Sequence, residues 1–397
     1  RQHHGARRPR GGSVATTRTP RGQATWQTQE THLAGGHRRG GHLGAINSVL
    51  NGYGGLMGVR LDPSDEYMHE LGPESNFNES MYINCFDPVN KVGGWFRMGN
   101  RANEGIAEMT VCIYLPDGSV AFMFKRPAIE NNNQLDAGGL TWTMVKPFEE
   151  LKIDFAGKVV VLAEPEQMVD PKTAFKNNPY SECEAHITFT GQGRSSMFGG
   201  EPDTPHEAPG EEFAKGHYEQ LIQAHGTIRV GDQEWEINGF GLRDHSWGPR
   251  YWQAPWYYRW LTANFDENLG FMLSRVAKKE GPGTRGGFVW EDGKMHYCDH
   301  AEISTVFQGD DTYHDKIEAV LKSSRSDREW RFTGDVMSLI PLRNRRQTPD
   351  GEWLTTRISE GMTQWTMVSD EHKGKVGYGL SEYLDQIIDN VPVGTAE

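Results

Sequence analysis

Between Gly239 and Tyr251 the chain sets two arginines, a carboxylate, an imidazole and a hydroxyl among glycines, as Gly239-Phe-Gly-Leu-Arg243-Asp244-His245-Ser246-Trp247-Gly-Pro-Arg250-Tyr251. Trp252, Trp256, Tyr257, Tyr258 and Trp260 follow at once. Proton-transfer groups beside large ring faces suit chemistry on an apolar molecule. A carboxylic acid kept neutral by an apolar pocket can donate a proton, and an adjacent imidazole can accept or relay one. A neighbouring arginine favours the charged carboxylate instead, so burial and Arg243 or Arg250 push the acidity of Asp244 in opposite directions. Ring faces stabilise a nearby cation by about 0.5–2 kcal/mol, which would assist a carbocation formed by protonating an alkene. The same residues could instead form a hydrogen-bonded corner of a β-protein, with the aromatics as ordinary core.

Strand geometry sorts these groups. With a period of two, Asp244 and Ser246 share one face while Arg243, His245 and Trp247 share the other. In the aromatic run Trp256, Tyr258 and Trp260 face one side, and Tyr257 and Arg259 face the other. Further acids and rings are scattered: Glu219 in His217-Tyr-Glu-Gln220, Glu79 and Tyr82 in Asn78-Glu-Ser-Met-Tyr82, Glu360, and Glu382 near the end. Each of these is more often turn or surface chemistry than catalysis. Cys298, Asp299 and His300 lack a second ligand pair at suitable spacing, so no metal site is expected. The chain holds no G-x-x-x-x-G-K-[ST], G-x-G-x-x-G opening a helix, H-E-x-x-H or G-x-S-x-G, which argues against nucleotide-dependent chemistry.

The elements that must carry these residues read as strands. Met81–Phe86, Ala107–Leu115 and Val120–Lys125 are strand-like, the last two joined by the turn Pro116-Asp-Gly118. Leu140–Lys146, Leu151–Phe155, Lys158–Ala163 and Ala185–Thr190 continue the pattern, and Gly226–Val230 and Glu234–Asn238 flank Gly231-Asp232. Twelve Trp, 13 Tyr, 17 Phe, 47 Gly and 20 Pro in 397 residues favour an all-β protein with many turns. Ser381–Ile388 is the best candidate for a short helix. Residues 191–213, rich in Gly, Pro, Ser and Glu, read as a linker or long loop.

Charge is uneven. Residues 1–43 hold eight Arg and one acid, Glu30, a net +7, which leaves −20 for the remainder of a chain whose net charge is −13. An acidic body argues against nucleic acid as partner. The basic segment lacks the apolar core of a secretory signal and reads as disordered. No run approaches the roughly 20 apolar residues of a membrane span. Cys85, Cys112, Cys183 and Cys298 are far apart, and a reduced, cytoplasmic setting is the simplest reading.

The Gly239–Arg250 segment, with Asp244-His245-Ser246-Trp247-Gly248 at its centre, resembles the signature of the carotenoid 1,2-hydratase (hydroxyneurosporene synthase)-like superfamily. Tyr218-Glu-Gln220, Asn78–Tyr82 and Gly377–Glu382 are similar to a bacterial branch of it, so the likeness covers roughly residues 64 to 388. The resemblance implies two lipocalin-like (calycin) halves around a cavity for an isoprenoid or other hydrophobic molecule, and activities such as adding water to a terminal alkene.

The expectation is therefore an all-β chain of two lipocalin-like barrels or sandwiches. A lead-in (1–63) precedes an N-terminal β-domain (64–200), a linker (201–213) and a C-terminal β-domain (214–397) ending in a short helix. The expected activity is a cofactor-independent hydratase, dehydratase or isomerase on a terpenoid, carotenoid or steroid-like substrate. Asp244 is the expected proton donor, assisted by His245, Arg243, Arg250 and Glu219. Trp247, Tyr251, Trp256, Tyr257, Tyr258, Trp260, Glu79, Tyr82 and Glu382 are expected around the substrate. The alternative is a lipocalin-like carrier that binds a hydrophobic ligand without chemistry.

Overall fold

A computed structural model describes residues 59–191, 197–202, 213–310, 312–348 and 350–396. The segment expected to be disordered, 1–43, lies outside the described residues. The turn at Pro116–Gly118 forms as its sequence predicts: Gly118 adopts φ +89° and donates its N–H to Leu115 O at 3.0 Å. It joins Ile106–Tyr114 to Val120–Lys125 in an antiparallel pair.

Among the described residues, two antiparallel sheets of twelve and ten strands account for most of the chain. In the first, Phe77–Asp87, Val92–Arg101, Ile106–Tyr114 and Val120–Lys125 form successive hairpins. Glu150–Leu162, Tyr180–Gly191, Gly216–Val230 and Gln233–Pro249 continue the ring, and the last pairs back with Phe77–Asp87. These eight strands close a barrel, so its backbone groups have no open edge in the ring. Residues 150–162 are one strand where the sequence suggests two. The inside is filled by alternate side chains such as Met81, Ile83, Phe96, Val111, Ile153 and Phe189.

The second sheet runs from Tyr257–Asp266 through Trp353–Met367 and Val376–Ile388 and curls around a core of Leu261, Phe271, Ile317, Trp330, Phe332 and Trp365. The sheets pack on their outer faces through Phe86, Trp95, Tyr114 and Phe122 from the first and Ile340, Met362 and Leu380 from the second. Tyr114 Oη donates to Glu360 O at 3.0 Å, and Asn264 Nδ2 to Gly241 O at 2.9 Å. Gly241 is required there, because a Cβ would stand 1.8 Å from Asn84 O.

The architecture is thus all-β and barrel-like in both halves. Two expectations change. The strands on both sides of 201–213 belong to the first sheet, and the change of sheet comes between Pro249 and Tyr257. Ser381–Ile388 is part of the strand Val376–Ile388, held between Tyr257–Asp266 and Trp353–Met367. Because both its faces are buried, the alternation that would have marked a strand is erased. No helix of the described residues is long and apolar enough to cross a membrane, and all four cysteines are buried free thiols.

Candidate active site

Two cross-strand rows face each other across a cavity of about 1420 Å³ walled by both sheets. In the first barrel Glu219, Asp244, Tyr82, Arg97 and Thr110 are successive register partners on neighbouring strands. In the second sheet Ser274, Trp260, Glu382 and Glu360 do the same. All of these residues line the cavity. Alternation then adds His217, two residues before Glu219, and Ser246, two after Asp244, to the same wall.

His217 is the hinge of the first row. Its Nε2 bonds Asp244 Oδ2 and lies 3.4 Å from Glu219 Oε1. Burial opposes charge on His217, but the Asp244 and Glu219 carboxylates raise it well above its usual value. Burial likewise pushes Asp244 up, yet His217, then Arg250, outweigh it and hold the carboxyl below its ordinary range. Asp244 and His217 are therefore an ion pair. Glu219 goes the other way: burial raises it against the pull of His217. Trp260 Nε1 donates to Glu219 Oε1 at 3.0 Å, while Oε2 is buried without a hydrogen-bond partner.

The second row holds a carboxyl pair. Glu360 and Glu382 are 4% and 8% exposed and stand directly opposite each other. Burial lifts Glu360 well above the carboxylate range, and the neighbouring Glu382 adds to it. Burial also raises Glu382, more than its hydrogen bonds to Tyr258 and Glu360 lower it. Tyr258 Oη donates to Glu382 Oε1, and burial and Glu382 keep the phenol protonated. Two like charges in one apolar site cannot both form easily, which favours a proton shared within the pair. Rings surround it: Tyr82 lies 5.7 Å from Trp95 and 5.4 Å from Trp260, centroid to centroid.

The opposite face of Gln233–Pro249 does different work. Arg243, His245 and Trp247 point into the end of the first barrel, where residues 63–71 cross it. Arg243 grips Glu66 with both terminal nitrogens, Nη2 to Oε2 at 2.9 Å, and donates Nε to Gln220 at 2.8 Å. His245 Nε2 bonds Glu79 Oε1 at 2.6 Å, and Glu79 also accepts from His69 N at 2.8 Å. His69 stacks on Trp247 at 3.8 Å.

Burial works to raise Glu79, but the hydrogen bonds from His245 and His69 prevail and bring it to about 2, against an ordinary 4.5. A carboxyl lowered in the folded state stabilises it above the unfolded value, and this is lost as pH falls from there through about 2. Urea midpoints measured from about pH 5 down to about pH 2 are expected to fall more steeply for the native protein than for Glu79→Gln. Parallel slopes would contradict this assignment.

Of the residues expected at the site, Asp244, Arg250, Glu219, Tyr82, Tyr258, Trp260 and Glu382 line the cavity. Arg243, His245, Trp247 and Glu79 do not, because strand alternation turns them inward. Tyr257 is buried beneath Arg259 Cζ at 4.8 Å, and Trp256 faces Lys279 Nζ at 5.5 Å. Tyr251 is half-buried beyond the strand end and is not in the wall. At Asp244, burial favours the neutral carboxyl expected of a proton donor, and the His217 contact favours the charged form. His217, Glu360 and Trp252, noted in the sequence but not assigned to the site, also join the wall. The His217-x-Glu219 spacing carried the signal for the first, being the two-residue period of a strand.

Among the described residues, one ion could touch His217, Glu219 and Asp244, or His69, Glu79 and His245, or Glu291, Glu371 and His372. In the first two groups an imidazole and a carboxylate lie within direct hydrogen-bonding reach of each other.

No curated protein sequence matches the chain. Solved structures do. CghA, in its crystal structure with Sch210972, is 14% identical with a TM-score of 0.51, over 83% of this chain and 97% of its own. A Nitrosomonas europaea protein described as an AttH is 12% identical with a TM-score of 0.46, over 79% and 97%. At this identity the CghA likeness speaks to the fold alone. The family described as a domain of unknown function, DUF7064, matches residues 62–387, and the chain belongs to it.

Proposed function

We propose that the chain is a cofactor-independent acid–base enzyme, a hydratase, dehydratase or isomerase of a hydrophobic, isoprenoid-like molecule. The observation that carries this reading is the buried Glu360–Glu382 carboxyl pair in a ring-walled cavity, with the hydrogen-bonded Asp244–His217 pair on the facing row. Glu382 gives its proton to one carbon of an alkene, the π electrons forming the new C–H bond and leaving a carbocation on the other carbon. The faces of Tyr82, Trp95 and Trp260 stabilise that cation. In hydration, water adds through its oxygen, and the Asp244 carboxylate takes the released proton. Glu382 is reprotonated from solvent, so the sum is alkene plus water to alcohol. Dehydration is the reverse, and loss of a different proton gives an isomer. Asp244 is close enough for its charge to act on Glu382.

The test is incubation with isoprenoid alkenes in heavy-oxygen water, with product analysed by mass. Labelled alcohol is expected. Return of unaltered ligand from every alkene that binds would point to the second reading, a carrier, which the size and aromatic lining of the cavity also fit. Asp244→Asn removes the proton acceptor and is expected to lower turnover about 10²-fold. A folded variant with full turnover would rule out that role.

A further inference from the structure

Two guanidiniums of the cavity wall, Arg97 and Arg250, are short of carboxylate partners in direct contact. Asp244 bonds His217, and Glu382 makes its hydrogen bonds to Glu360 and Tyr258. Glu108 is shared by two arginines, Arg126 Nη2 at 3.0 Å and Arg97 Nη1 at 3.5 Å. Arg97 Nη2 is buried with no hydrogen-bond acceptor. Arg250 bonds only neutral oxygens among its hydrogen bonds here, Phe213 O at 3.0 Å and Ser246 Oγ at 2.6 Å. Glu108 thus serves both Arg97 and Arg126, and among the described residues no carboxylate bonds Arg250 directly. Arg97 and Arg250 also approach the same ring: their Cζ atoms lie 5.7 and 5.6 Å from the Trp252 centroid. Like charges held this close are costly unless an anion joins them. Burial and the neighbouring Arg97 already pull Arg250 down to about 10.

We infer that Arg97 and Arg250, set around Trp252, form a binding site for an anionic head group, a carboxylate, on the hydrophobic ligand. A carboxylate accepts parallel N–H bonds from guanidinium groups, and the aromatic ring beneath supports the plane. Arg97 neighbours Tyr82 in register, and Tyr82 neighbours Asp244. A head group bound there leaves its hydrocarbon to run along Tyr82, Trp95 and Phe122, past the carboxyl pair. This inference rests on the proposed cavity function and narrows its substrate from an apolar molecule to an amphipathic acid.

Calorimetric titration of the full chain with geranylgeranoic acid, its methyl ester and geranylgeraniol tests it. The acid is expected to bind at least about tenfold tighter than the ester. In Arg250→Gln, and separately in Arg97→Gln, that preference is expected to fall below about threefold with the ester affinity unchanged. Having two variants guards against one failing to fold. Equal binding of acid and ester by the native protein overturns the head-group site and leaves the cavity function standing. A preference that survives both substitutions also overturns it. If none of the three ligands binds the folded protein, the head-group site and the proposed function fall together.

Discussion

Glu382→Gln is expected to lower turnover of a bound alkene by about 10³–10⁴-fold, with ligand affinity changed by no more than about threefold. Glutamine keeps the size of the side chain and can still accept the Tyr258 hydrogen bond. It cannot protonate carbon. The strength of the effect follows from placement: Glu382 stands between Glu360 on one strand and Trp260 on the other. Its acidity is a property of the pair, so Glu360 must change with it. Burial raises Glu360, and the Glu382 carboxyl raises it further; with a neutral amide opposite, Glu360 should titrate closer to its ordinary range. Glu360→Gln is expected to be the milder variant, because Tyr258 still orients Glu382. If the Glu382→Gln protein turns over at the native rate, the acid lies elsewhere, and the buried Glu219 becomes the next candidate.

Arg243→Met is expected to destabilise the fold by about 3–5 kcal/mol without altering ligand affinity. The guanidinium and Glu66 are both almost fully buried at the barrel end. Glu66 Oε1 accepts from Arg243 and Tyr218, and Oε2 from Arg243 and Phe148 N. Methionine fills the space but leaves a buried carboxylate without its counter-charge, held only by Tyr218 and Phe148 N. Arg243→Lys keeps the charge but loses the two-pronged grip, and should fall between. Combining Arg243→Met with Glu66→Gln removes the stranded charge, so the double variant should recover part of the loss. Urea denaturation gives all four stabilities. A loss under about 1 kcal/mol for Arg243→Met would mean that the pair does not hold the residue 63–71 crossing in place.

These two residues show what could be read in advance. The alternation of 243–247 is visible in the sequence, and the structure keeps it: Asp244 and Ser246 on one side, Arg243, His245 and Trp247 on the other. Which side faces the ligand is not visible. That depends on Glu66, His69 and Glu79, more than 150 residues earlier, which fill the barrel end with partners for the inward set. The sequence also could not rank its acids. Glu382 looks like any glutamate near a chain end, and Glu360 like a turn residue before Gly361. Only the pairing of their strands places them opposite each other, in a buried place that raises both. Asp244 lies in the most conspicuous motif of the chain, yet His217, on the adjacent strand, takes away its proton. The terminal strand was hidden for a related reason. Tyr383, Leu384 and Asp385 are all buried, so the stretch shows no two-residue rhythm, and Leu384, Ile387 and Ile388 mimic a helical face.

The account depends on a carboxyl group that stays protonated at neutral pH between Glu360 and Glu382. Infrared difference spectroscopy reads this directly, as the carbonyl stretch of a protonated carboxylic acid at about pH 7. Comparing the native protein with a Glu360→Gln/Glu382→Gln variant should show that band in the former and its loss in the latter. A native spectrum with no protonated carboxyl, or a band untouched by removing both glutamates, would contradict the account.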